Sequence, residues 1–124
     1  MNSKTAAAVL VLSLGITFAR ESAADLQYPD AGKLMVEAID RGHARGILNG
    51  DIADLFSNQF HSGSPLIGDA TVIKHYQQDG CARIELDFIK EAVPTPAGLT
   101  EITFKTQLDY CRDGNAPVFK EDAP

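Results

Sequence analysis

Tryptophan is absent from this 124-residue chain, and cysteine and methionine occur only twice each. There is no low-complexity tract, no charge run and no internal repeat, which excludes a repeat array and a charged interaction tail. Positive charge is also scarce. Lys and Arg total 11 against 17 Asp and Glu, for a net charge of −6. A net acidic chain without Lys/Arg clusters argues against binding a phosphate backbone or an anionic membrane surface. No Ser–His–acid order, G-x-S-x-G, P-loop or H-E-x-x-H motif is present, so no catalytic signature stands out.

The apolar residues at the N-terminus read as a leader. Lys4 supplies a short positive region, Thr5 to Ala19 carry no charge, and Arg20-Glu21 end the run. About fifteen apolar residues are too few for the ~20 of a spanning helix but suit a secretory signal. Cleavage is expected after Ala24 (Ser22-Ala23-Ala24), with Ala19 the second choice. A buried N-terminal helix or an uncleaved anchor are the alternatives. The expected organisation is a signal peptide over 1–24 and one small domain over 25–124, its tail 115–124 loosely held. The expected location is the periplasm, or secretion, with no stable membrane anchor after cleavage.

Asp30 is placed to cap a helix starting at Ala31, in which Leu34, Met35, Ala38 and Ile39 make one apolar face. The pattern fades through Gly42-His43-Ala44-Arg45-Gly46. Gly42, Gly46 and Gly50 recur every four residues, as a close-packing face or as helix-end glycines; the second is favoured. Asp51 opens a second short helix, with Ile52, Leu55 and Phe56 toward the core. His61 to Gly68 reads as a loop. From Ala70 the period becomes two, in ATVIKHYQ, CARIELDFIKEAV and LTEITFKTQLDYC. The linkers Gln78-Asp79-Gly80 and Pro94 to Gly98 are hairpin-sized. The expected fold is therefore α+β: two N-terminal helices packed on one face of a three-stranded antiparallel β-meander, with one disulfide.

Charges offer a test of register. If the second hairpin turns about Pro96, Phe88 meets Phe104 and Ile84 meets Leu108 on one face. On the other, Asp87 meets Lys105, Arg83 meets Asp109 and Cys81 meets Cys111. Glu91 against Glu101 is the one discordant pair, beside the loop. In the first hairpin, a two-residue Asp79-Gly80 turn would pair Gln78 with Cys81, Lys74 with Glu85 and Ile73 with Leu86, and set Tyr76 beside Arg83. His75 would share the inward side of Ile73.

Opposed residues of an antiparallel ladder have Cα atoms ~4.5–5.5 Å apart, inside the range a disulfide needs. Two cysteines in an exported chain make a bridge the default. A redox pair would call for C-x-x-C and an activating cation, and a metal site for further ligands. Neither cysteine has that motif, and His43, His61 and His75 are scattered. Cys81–Cys111 is therefore expected as a structural disulfide, with no metal and no cofactor.

Glu85 and Asp87 lie on one face two residues apart, a spacing that invites a paired-carboxylate reading. Each has a cation expected opposite, so the solvated face of complementary pairs is preferred, and no enzyme is expected. Candidate partner-binding residues are Tyr76, Arg83, Glu85, Lys105 and Asp109, together with an edge strand open to β-augmentation.

Gln59-Phe60, Ser64-Pro65-Leu66, Gly80-Cys81-Ala82-Arg83-Ile84 and the later Cys111 with Asp113-Gly114 resemble a group of small exported proteobacterial proteins encoded with conjugative-transfer and type IV secretion genes. The resemblance spans roughly Leu34 to Phe119. It implies a periplasmic accessory role in DNA transfer and assigns no catalytic residue. The expected function is thus a non-enzymatic exported protein acting by protein–protein contact. The alternative is a periplasmic inhibitor or immunity protein against a hydrolase.

Overall fold

The structure, a computed structural model, describes residues 26–118. The expected signal peptide with its cleavage site, and the end of the tail beyond Val118, lie outside the described residues. The elements run β1 (Gln27–Tyr28), α1 (Ala31–Arg41), β2 (His43–Leu48), α2 (Asp51–Phe60), β3 (Leu66–His75), β4 (Cys81–Thr95) and β5 (Gly98–Cys111). The strands form one sheet in the order β1-β2-β3-β4-β5. β1 pairs parallel to β2, and the other pairs are antiparallel.

This corrects the expected three-stranded antiparallel meander preceded by two helices. The described sheet has five strands and is mixed, and the helices alternate with strands instead of preceding them. The reason lies in two elements that carry little hydrophobic period. β1 is two residues long. In β2 the inward positions are Ala44, Gly46 and Leu48, two of them too small to show an apolar stripe.

Those small residues are what lets α1 dock. Leu34 and Ala38 of α1 are fully buried, as is Ala70 of β3. A Cβ on Gly68 would lie 2.7 Å from Leu34 Cδ2 and 2.8 Å from Leu48 Cδ1. One on Gly46 would lie 2.6 Å from the Tyr28 ring and 2.7 Å from the Leu26 carbonyl. The glycines spaced by four therefore share no helical face. Gly42 ends α1 in the left-handed region, Gly46 sits in β2 under Tyr28, and Gly50 precedes α2 with positive φ.

α1 starts as the sequence suggests, with the Asp30 carboxylate accepting from the Lys33 N–H at 2.9 Å. Its Leu34, Met35, Ala38 and Ile39 are buried. α2 is docked less deeply. Ile52, Ala53 and Phe56 pack on the core edge, but Leu55, expected to face inward, is 57% exposed. Both helices cover the same side of the sheet, α1 in the core that includes Ala82, Ile84 and Leu86 of β4, and α2 reaching Phe88 and Lys90 through Phe56 and Ser57.

The β4–β5 register is the one the charges demanded: Cys81 opposes Cys111, Arg83 Asp109, Ile84 Leu108, Asp87 Lys105 and Phe88 Phe104. The discordant Glu91–Glu101 pair does not form, because β4 bulges between Lys90 and Val93. Ala92 takes a φ of 55° there. The carbonyl of Glu91 turns out of the ladder and accepts from Ser62 Oγ at 2.8 Å and Ser64 Oγ at 2.6 Å.

The first hairpin differs from its expected register. The Tyr76 N–H donates to the Cys81 carbonyl, Lys74 opposes Arg83, and Glu85 opposes Thr71. A four-residue connection, Gln77 to Gly80, replaces the two-residue turn. β3 also starts earlier, at Leu66 instead of Ala70, and bulges at Ile73. The inward set of β3 is Leu66, Gly68, Ala70 and Val72, because only this parity gives α1 its shallow seat. Ile73 and His75, expected inward, are exposed.

Candidate functional site

The side of the sheet turned away from the helices is ordered in rows. Across β2–β5 the first row is Ile47, Ile67, Ile89 and Thr103. The next is Arg45, Asp69, Asp87 and Lys105, followed by His43, Thr71, Glu85 and Gln107. Beyond them lie Lys74, Arg83 and Asp109, and then the disulfide. Neither described helix packs on this face.

The charged row places two carboxylates side by side between two cations. Asp69 and Asp87 are directly opposed, which by itself is unfavourable. Each is offset from outside. Arg45 Nη1 donates to Asp69 Oδ2 at 2.6 Å, His43 Nε2 lies 2.7 Å from Asp69 Oδ1, and Lys105 Nζ donates to Asp87 Oδ2 at 2.9 Å. The hydrogen bond to Asp87 and its charge raise the pKa of Lys105, with Glu85 and Asp69 adding to the effect. Asp87 Oδ1 is buried without a hydrogen-bond partner. Pairs with an exposed partner are screened by solvent, so the row is an organised charge pattern more than a source of stability.

A second cluster gathers around Asp109. Tyr76 Oη donates to Asp109 Oδ1 at 2.7 Å, and Arg83 Nη1 to the same oxygen at 3.0 Å. Lys74 Nζ stands 5.2 Å from the centre of the Tyr76 ring, within cation–π range. The hydrogen bond to Asp109 raises the pKa of the Tyr76 phenol, and that to Tyr76 raises Arg83.

Of the candidate partner-binding residues, Tyr76, Arg83 and Asp109 thus form one cluster. Lys105 belongs to the charged row, and Glu85 stands between them, opposite Thr71 and Gln107 instead of Lys74. Sequence reasoning missed His43, Arg45 and Asp69, the half of the face carried by β2 and the start of β3. Asp69 was missed because the loop reading ran to Gly68 and the strand reading began only at Ala70, and His43 and Arg45 because the small Ala44 and Gly46 between them hid β2.

Cys81 and Cys111 are bonded to each other, with Cα atoms 4.0 Å apart. They are 2% and 3% exposed although they lie on the outward side. Residues 115–118 turn back at this end: the Cys111 N–H donates to the Asn115 carbonyl and the Val118 N–H to Gln78 Oε1.

On the helix side, Lys90 is 1% exposed. Its ammonium donates to Ser57 Oγ at 3.0 Å and to the Ser64 carbonyl. Burial lowers its pKa. A serine–lysine pair can serve acyl transfer when the base is neutral and the serine reachable. Here the amine is sealed beneath α2 and the 61–65 loop, tying both to the β4 bulge. No group of three or more His, Cys, Asp or Glu suited to a metal ion occurs among the described residues. No described helix is long and apolar enough to cross a membrane.

Comparison with protein-family models, curated proteins and solved structures gives no match for this chain.

Proposed function

We propose that this chain is an exported, non-enzymatic protein that acts by protein–protein contact through the outward face of its sheet. The observation that carries this reading is the asymmetry of the sheet. Two helices cover one side, while the other presents an isoleucine row beside the Arg45–Asp69–Asp87–Lys105 row. Apolar area flanked by pre-positioned charges is the composition of a binding surface, the charges setting register and encounter rate more than affinity. The net charge of −6 favours a partner whose contact surface is basic overall. The Cys81–Cys111 bridge supports an oxidising compartment such as the periplasm. The setting beside a conjugative-transfer or type IV secretion apparatus carries over from the sequence resemblance.

Affinity capture from periplasmic extract tests this with two alanine variants. Arg45→Ala removes a cation of the outward face, and Lys33→Ala removes an exposed one on α1. The expected result is a partner whose recovery falls with Arg45→Ala and with added salt, and not with Lys33→Ala. Equal recovery with both variants, or recovery that Lys33→Ala alone reduces, overturns the reading.

A further inference from the structure

The two edges of the sheet are unlike. On one side the short β1 covers only the end of β2, through Gln27–Ile47 and Tyr28–Leu48. On the other, β5 runs for 14 residues with no strand paired along its outer edge among the described residues. Long free edges are normally blunted by proline, bulges or unpaired charge. β5 has no proline, and the bulge of its hairpin falls in β4. Its one lysine, Lys105, is already bonded to Asp87, which leaves Glu101 as the one charge of the strand without an ion pair among the described residues.

The hydrogen-bond phase of the edge follows from its end. The Cys111 N–H donates to Asn115, outside the ladder, and the Cys81–Cys111 Cα separation of 4.0 Å is that of a non-hydrogen-bonded pair. Such pairs alternate with bonded ones, and no bulge interrupts the ladder from Cys111 back to Ile102. Thr103, Lys105, Gln107 and Asp109 therefore turn their N–H and C=O groups toward the open edge.

We infer that this edge pairs antiparallel with β5 of a second copy, about a two-fold axis at Thr103. That axis makes Thr103–Thr103 a bonded pair, which the phase allows. It sets Glu101 of each copy opposite Lys105 of the other, two opposite-charge pairs from one symmetry operation. Glu101 has no ion pair among the described residues, so it is available. The outward charged row then continues from Arg45, Asp69, Asp87 and Lys105 onto Glu101 of the second copy.

On the helix side the same axis brings Ile102 of one copy against Phe104 of the other. Phe104 is 47% exposed and, with Leu55, Phe56 and Phe60, lines an apolar groove of about 160 Å³ open at this edge. Other axes of a compatible phase fit less well. Axes at Ile102 or Phe104 form no opposite-charge pair, one at Lys105 opposes lysine to lysine, and one at Gln107 pairs Lys105 with Asp109, both of which are already held, by Asp87 and by Arg83 with Tyr76. The inference does not depend on what the outward face binds.

The chain as purified from cells, with its disulfide intact, provides the test. Sedimentation equilibrium is expected to show a concentration-dependent dimer. Thr103→Pro removes only an edge-facing N–H and is expected to abolish the dimer while leaving the far-ultraviolet circular dichroism unchanged. Thr103→Cys is expected to form an inter-chain disulfide, and Gln107→Cys not to. A monomer at every soluble concentration overturns the inference, as does a dimer that survives Thr103→Pro. Cross-linking through Gln107→Cys and not Thr103→Cys overturns the register. Amide protection at Thr103 and Lys105 that does not vary with concentration would place another segment of the same chain on this edge, and also overturns it.

Discussion

Cys81 and Cys111 stand directly opposed at the open end of the β4–β5 hairpin, whose other end closes through Thr95 and Gly98. The bridge and the turn thus pin the two longest strands at both ends. Between them the bulge at Glu91–Ala92 absorbs the one mismatch in an otherwise continuous register.

Removing the bridge by Cys81→Ala with Cys111→Ala frees a loop of sequence separation 30. The chain-entropy relation puts the loss at about 3.5 kcal/mol. Urea unfolding of the double variant should show that loss, with native-like circular dichroism retained in water. A loss below about 1 kcal/mol would mean that the unfolded chain is already constrained.

The β4–β5 register was legible because it was over-determined: two opposite-charge pairs, two apolar pairs and the cysteines agreed on a single alignment. α1 was legible because Asp30 and the Leu34–Ile39 stripe supplied both a cap and a face. β2 was not, since Ala44 and Gly46 are small where a strand reader looks for bulk, and small residues are what the α1 seat needs. The β3–β4 register failed for a related reason. Ile73 is the more apolar choice for the core, but packing beneath α1 selected Gly68 and Ala70 and pushed Ile73 into a bulge. Half of the outward face was lost with those two strands.

The seat itself can be tested at Gly68. Alanine there would put a methyl 2.7 Å from Leu34 Cδ2. Overpacking of this kind costs about 1–3 kcal/mol, and the buried Leu34 and Leu48 side chains must shift to relieve it, which loosens the seat of α1. Thermal unfolding should show the loss, and hydrogen exchange should show faster opening of α1 than of the β4–β5 ladder. An unchanged midpoint would show that α1 does not rest on Gly68.

Lys90 predicts a pH dependence of definite sign. Its folded pKa is lowered by burial, against an unfolded value of about 10.4. Between the two, the unfolded chain holds a proton that the folded one has released, so stability rises with pH in that window. Below the folded pKa both states are protonated and the contribution is flat. Lys90→Met removes the titrating group. The difference in unfolding free energy, wild type minus Lys90→Met, should therefore climb as pH rises from below the folded pKa toward about pH 10. Parallel curves would show that the amine is not desolvated in the folded state.

The central claim is that the outward face of the sheet, and not the helix layer, meets the partner. Photo-activatable side chains at Thr71 and Glu85, in the middle of that face, and at Lys33, on the exposed side of α1, test it most directly in living cells. The account predicts one shared cross-linked partner from Thr71 and Glu85, and none from Lys33. A partner captured from Lys33 while both sheet positions stay silent would contradict it.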